Sequence, residues 1–110
     1  MDEINLKDTP IEVVAMNMIM HAGDARTLIM EALDDLANNK DDEALEKMEK
    51  AHEELIQAHQ IQTGFIQHVA SGEVEEAYSV LFTHAQDTMM TIYSEYNVTN
   101  KLINIFKNRK

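Results

Sequence analysis

No cysteine occurs among the 110 residues, which excludes a disulfide framework and any thiolate metal site. Three glycines and a single proline leave little of the turn chemistry that a many-stranded sheet needs. Basic side chains are also scarce: nine Lys and Arg stand against 20 Asp and Glu, a formal net charge of −11. A surface so poor in cations cannot displace the counterions of a phosphate backbone, so nucleic acid is not an expected partner. The charge favours a basic protein partner drawn in by the field, or it keeps a small domain soluble. No apolar run reaches the roughly 18 to 20 residues of a membrane span. The opening MDEINLKDTP carries no charged-then-apolar signal pattern. A soluble cytoplasmic protein is the expectation. Gly-rich phosphate loops, Gly-x-Ser-x-Gly elbows and His-Glu-x-x-His helices are missing as well, which argues against a free-standing nucleotide-dependent kinase.

What remains is rich in strong helix formers. Breaks cluster at Asn38-Asn39-Lys40-Asp41-Asp42, where Asp41 or Asp42 can cap the next helix, and at Ala70-Ser71-Gly72-Glu73, where Gly72 suits a helix C-terminus. Pro10 suits a first helical turn. The pattern predicts three helices over about 10–38, 41–69 and 75–108, after a loose tail at 1–9. In the first, Ile11, Val14, Ala15, Met18, Ala22, Ala25, Ile29, Ala32, Leu33 and Leu36 recur at helical spacing. In the second, Leu45, Met48, Ala51, Leu55, Ala58, Gln62, Phe65, Ile66 and Val69 form a near-heptad seam. Long helices joined by short polar turns predict an all-α, antiparallel three-helix bundle in one domain spanning 1–110.

The third helix carries two stripes. One collects Tyr78, Leu81, Phe82, Ala85, Met89, Ile92, Tyr96, Ile103 and Phe106; the other collects Val80, His84, Asp87, Thr91, Val98, Leu102 and Ile105. A bundle of three buries only one such stripe, and a helix apolar on two sides needs two partners. The second stripe is expected to face further copies of the chain, since a patch repeated by symmetry covers itself.

His84 and Asp87 are neighbours at i and i+3. Neutral imidazole is a competent nucleophile, and a nearby carboxylate favours one tautomer or the imidazolium. The spacing alone decides nothing, because His21-Ala22-Gly23-Asp24 repeats it. If the second stripe packs about a symmetry axis, copies of Asp87 converge there. They must then share protons or bind a divalent cation, for which oxygen ligands suit Mg²⁺. Glu49-Lys50-Ala51-His52 has the Glu-x-x-His spacing of di-iron bundles, but it is only one of the two such units those sites require. His52 and His59, a heptad apart on the seam of the second helix, read as core or edge histidines satisfied by hydrogen bonds. The eight methionines read as packing, with Met89-Met90 also available as an adaptable docking face.

Several stretches together resemble the lactose/cellobiose-type enzyme IIA component of the phosphoenolpyruvate-dependent sugar phosphotransferase system. They are Ala22-Gly23-Asp24-Ala25-Arg26 with Glu31-Ala32-Leu33; Ala58-His59 with Gln62-Thr63-Gly64; Gly72-Glu73; and Tyr78-Ser79-Val80 leading into His84-Ala85-Gln86-Asp87. The resemblance runs from about residue 10 to 108. It implies a homotrimer with the third helices on the axis. His84 would accept a phosphoryl group from HPr and pass it to a cysteine of the cognate enzyme IIB, in the uptake and phosphorylation of a lactose/cellobiose-type disaccharide. Asp87 would be the metal ligand at the trimer axis, and the membrane would be reached only indirectly, through enzyme IIC. Where family members commonly carry a second histidine, this chain has Thr88, whose hydroxyl can donate to a phosphoryl oxygen but carries no charge. The rival reading is a helical interaction or regulatory module that never holds phosphate.

Overall fold

The computed structural model describes residues 8–73 and 79–109. Its three helices are α1 (Ile11–Ala37), α2 (Asp41–Ala70) and α3 (Val80–Asn108), and they form a rod of 54 × 24 × 19 Å. No helix among the described residues is long and apolar enough to cross a membrane. The antiparallel bundle expected from the periodicity is present. Most of the residues assigned to the 1–9 tail, and Tyr78 of the first α3 stripe, lie outside the described residues. The expected start of the third helix at 75 falls there too; the described helix begins at Val80.

Both interhelix turns end their helix in the same way. After α1, the Asn39 N–H donates to the Leu36 carbonyl and the Lys40 N–H to that of Asp35, with Asn39 at φ 61°. After α2, Gly72 at φ 81° and Glu73 repeat the pattern onto Val69 and His68. This is the Schellman arrangement, in which a left-handed residue lets two N–H groups turn back onto the last free carbonyls. Glycine adopts that conformation without penalty, and asparagine is among the few other residues that do.

The N-termini differ from the sequence expectation in two places. Pro10 is the residue before the helix and not part of its first turn; at ψ 146° it is extended, and its carbonyl accepts from the Val13 and Val14 N–H groups. Neither Asp41 nor Asp42 caps α2. Lys40 precedes the helix without a side-chain cap, and both aspartates lie inside the first turn with Glu43. There their charge opposes the positive end of the helix dipole. Ser79 does cap α3, its Oγ accepting from the Phe82 N–H at 3.1 Å.

One core runs the length of the rod. Val14, Ala15, Met18, Ala22, Ala25, Ile29 and Ala32 of α1 meet Met48, Ala51, Leu55, Ala58 and Phe65 of α2, and Ala85, Met89, Ile92 and Ile103 of α3. The alanines on α1 and α2 let those two backbones approach closely, which keeps α1 central to the bundle. Two residues assigned to buried stripes are not buried: Ile66 is 45% exposed and Phe106 is 53% exposed. Both lie near an end of their helix.

Candidate functional site

The two His-x-x-Asp sequences fold into opposite environments. His21 lies on the side of α1 that meets α2, and it is 4% exposed. Its Nδ1 stands 3.1 Å from Glu54 Oε2, so the imidazole N–H donates across the helix pair and ignores Asp24, which is exposed. His84 and Asp87, by contrast, are both exposed on α3.

The remaining histidines are each engaged. The His52 ring stacks on Tyr96, with centroids 5.4 Å apart and planes 19° apart, and His59 meets Tyr93 edge-on at 6.4 Å. His68 Nδ1 lies 3.5 Å from Glu73 Oε1. The His52 and His59 ring contacts, one stacked and one edge-on, tie α2 to α3 in place of the hydrogen bonds expected of core or edge histidines. Burial, then the neighbouring Tyr93 and Glu49, holds the Tyr96 phenol above its ordinary pKa. Among the described residues His84 alone of the five histidines has no such partner. The His84 side chain is exposed on a helix anchored in the core by Ala85 and Met89, and a neutral imidazole is by its chemistry a competent nucleophile.

Around His84 the second stripe of α3 is uncovered. Val80 is 70%, Val98 57%, Leu102 38% and Ile105 47% exposed, and Thr91 is exposed as well. This is the face that the sequence assigns to other copies. Thr88 is half-buried one turn from His84 on the flank nearest α1, and Gln86 is half-buried on the flank nearest α2. The Arg26 guanidinium of the Ala-Gly-Asp-Ala-Arg stretch donates to Glu95 at 2.8 Å and ties α1 to α3. A shallow groove lined by Ile29, Met30, Leu33, Val98 and Thr99 runs beside that ion pair.

Among the described residues no three His, Asp or Glu side chains come together as a metal site within the protomer. Asp87 presents an exposed carboxylate, a hard oxygen donor, on the same face of α3 as His84. The residue that sequence reasoning missed is His21: its burial depends on Glu54, 33 positions away, and no local pattern announces that pairing.

The family model for the lactose/cellobiose-specific IIA subunit of the PTS system matches residues 13–107. The chain is 30% identical over 109 residues to the oligo-beta-mannoside-specific EIIA component of Bacillus subtilis, covering 99% of this chain and 98% of that protein. It is 35% identical over 100 residues to the lactose-specific EIIA component of Lacticaseibacillus casei, with 91% and 88% covered. Among solved structures, the cellobiose-specific enzyme IIA from Bacillus anthracis superposes with a TM-score of 0.83 at 37% identity, covering 91% of each chain.

Proposed function

Because the chain belongs to the lactose/cellobiose-specific IIA family of the phosphotransferase system, we propose that it is that system's phosphohistidine carrier, with His84 as the group that is phosphorylated. In this reading a nitrogen of neutral His84 attacks the phosphorus of phospho-HPr in line. One N–P bond forms as the donor's N–P bond breaks, and the donor imidazole leaves with a proton. The transfer potential is kept, so the group can move on to a cysteine thiolate of the cognate enzyme IIB, with an S–P bond replacing N–P. Such steps ask the protein for alignment and electrostatic support more than for covalent work. The observation that carries the reading is the isolation of His84 among the histidines: it is exposed and uncommitted, while the other four are held by Glu54, Tyr96, Tyr93 and Glu73.

The uncovered α3 stripe supports a homotrimer closed about that face. Asp87 from each copy would then hold Mg²⁺ at the axis, where the ion neutralises converging carboxylates. Thr88, half-buried beside His84, would donate its hydroxyl to a phosphoryl oxygen. The relatives are named for different sugars, among them oligo-beta-mannoside, lactose and cellobiose. We assign a β-linked disaccharide or short oligosaccharide of this group to the system, recognised by its membrane component and not by this chain.

Incubation with phosphoenolpyruvate, enzyme I and HPr tests the reading. One phosphoryl mass should appear, labile in acid and absent in His84→Ala. Labelling that survives His84→Ala removes this histidine from its role. A wild type that stays unlabelled beside a competent donor supports instead the interaction module that never holds phosphate.

A further inference from the structure

Like α3, α1 is apolar on two sides. Val13, Met16, Met20, Gly23, Thr27 and Met30 are all exposed, and Val13, Met16, Met20 and Met30 are 45%, 55%, 49% and 55% open to solvent. They follow one another at steps of 3, 4, 3, 4 and 3, the spacing that holds one seam of a helix against a second helix lying nearly along it. The seam is about 25 Å long at 1.5 Å per residue. Behind it, Met18, Ala25 and Ala32 face the core of the protomer. Charge keeps to its edges, with Glu12 and Arg26 along one and Asp24 and Glu31 along the other. Arg26 donates to Glu95 of α3, and Met30 shares a groove with Val98. The seam therefore borders α3 and that helix's own uncovered stripe.

Gly23, in the middle of the seam, answers to nothing inside the protomer. Glycine is the poorest helix former after proline. Gly23 has no positive φ that would call for it, and a methyl added there meets nothing within 4 Å. One turn on, the Thr27 hydroxyl donates back to the Gly23 carbonyl at 3.2 Å. Between Met20 and Met30 the α1 backbone is thus left bare, which is what a close approach by another backbone requires. A seam this long asks for a long helix, and the chain itself carries one. Val80, His84, Asp87, Thr91, Val98 and Ile105 of α3 step by 4, 3, 4, 7 and 7, the same period. A protein that must leave after each phosphoryl transfer makes a small contact and has no use for a helix-long seam. A second copy does.

We propose that the α1 seam from Val13 to Met30 is the second half of the contact between copies: the α3 stripe of one copy lies along α1 of the next, closest at Gly23. The inference rests on the homotrimer reading and names a surface that reading leaves out. Because the α1 and α3 faces of one protomer adjoin, a copy set against the α3 stripe reaches α1 as well; packed helices stand only about 8–10 Å apart. Two different faces in contact make a heterologous interface, and such interfaces close into a ring when the rotation allows. Each copy then gives its α3 stripe to one neighbour and its α1 seam to the other. The unbranched methionines fill what space the passing helix leaves, and the flanking charges stay at the wet rim. His84 stands in the second turn of α3, near the end of the rod, where a docking protein meets the rim of this contact without entering it.

Sedimentation equilibrium on the full chain tests this with wild type, Gly23→Ala, Gly23→Leu and Gln60→Leu, the last on an exposed site of α2. Gly23→Leu should weaken association by about tenfold or more and Gly23→Ala by about threefold, since each places atoms where two helices meet. Both introduce better helix formers, so the helical circular dichroism of the dilute protein should hold or rise while the assembly weakens. Gln60→Leu should associate as wild type does. Should Gly23→Leu lose helicity, Gly23→Ala decides alone, because its methyl has open space in the protomer. Wild-type association by both Gly23 variants overturns the proposal, as does an equal loss in Gln60→Leu. Gly23 variants that assemble normally but bind enzyme IIB more weakly would assign the seam to the phosphoryl acceptor and also overturn it. A wild type that sediments as a monomer removes the homotrimer and this contact together. A wild type that assembles but that HPr cannot label refutes the carrier reading and leaves the contact standing.

Discussion

The His21–Glu54 pair allows the sharpest test of how this bundle is held together. His21 is 4% exposed, its Nδ1 is 3.1 Å from the Glu54 carboxylate, and its Nε2 is buried without a hydrogen-bond partner. Glu54→Ala would leave both ring nitrogens without a protein partner. Losing a partner in this way costs about 1–3 kcal/mol when the stranded group is fully buried. The Glu54 side chain is 27% exposed, so water reaches the gap, and the lower part of that range is expected, about 1–2 kcal/mol. His21→Phe removes the stranded nitrogens along with the bond and keeps most of the ring volume. It should cost less than about 1 kcal/mol, because replacing a polar group by an apolar one of similar shape can be nearly neutral. In the double variant the Glu54→Ala change should then add almost nothing, giving a coupling of about 1–2 kcal/mol. Thermal denaturation followed by circular dichroism reads these as shifts of about 4–8 °C per kcal/mol, at one fixed protein concentration so that any self-association contributes equally to each variant. Additive costs, or a His21→Phe variant losing more than about 2 kcal/mol, would show that packing around the ring and not the Glu54 contact holds this site.

Three further outcomes are expected from other parts of the molecule. On the proposed trimer, Asp87→Leu should preserve or strengthen self-association and abolish Mg²⁺ binding, because apolar packing would replace converging carboxylates; sedimentation as a monomer would contradict that proposal. Gly72→Ala should cost about 1 kcal/mol, since φ is +81° there while an added methyl meets nothing within 4 Å; an unchanged melting temperature would remove the backbone argument. Burial, Tyr93 and Glu49 raise the Tyr96 pKa in the folded state, so the stability linked to this phenol is fully present below its unfolded value of about 10. It is lost as pH climbs through the folded value. Tyr96→Phe should flatten that alkaline loss, as followed by denaturation at successive pH values, and an equal slope in the variant would refute it.

Much of this was legible along the chain. Helical periodicity named the core of α1 and α2 almost residue by residue, because a position facing inward recurs every 3.6 residues whatever the partner is. Gly72 was readable as a helix end because glycine alone takes positive φ freely. Capping was less legible. Asp41 and Asp42 are good cap residues, but the left-handed turn at Asn39 starts the helix at Asp41 and moves both inside it.

Local sequence determined the helices, the missing chemistries and the second apolar stripe of α3, since each of these depends on side-chain identity and spacing within one segment. Which of two identical His-x-x-Asp spacings stays open was decided only by the packed bundle. Glu54 happens to stand opposite His21, and among the described residues no side chain pairs with exposed His84. Burial and electric field are properties of neighbours in space, and those neighbours exist only once the helices have met.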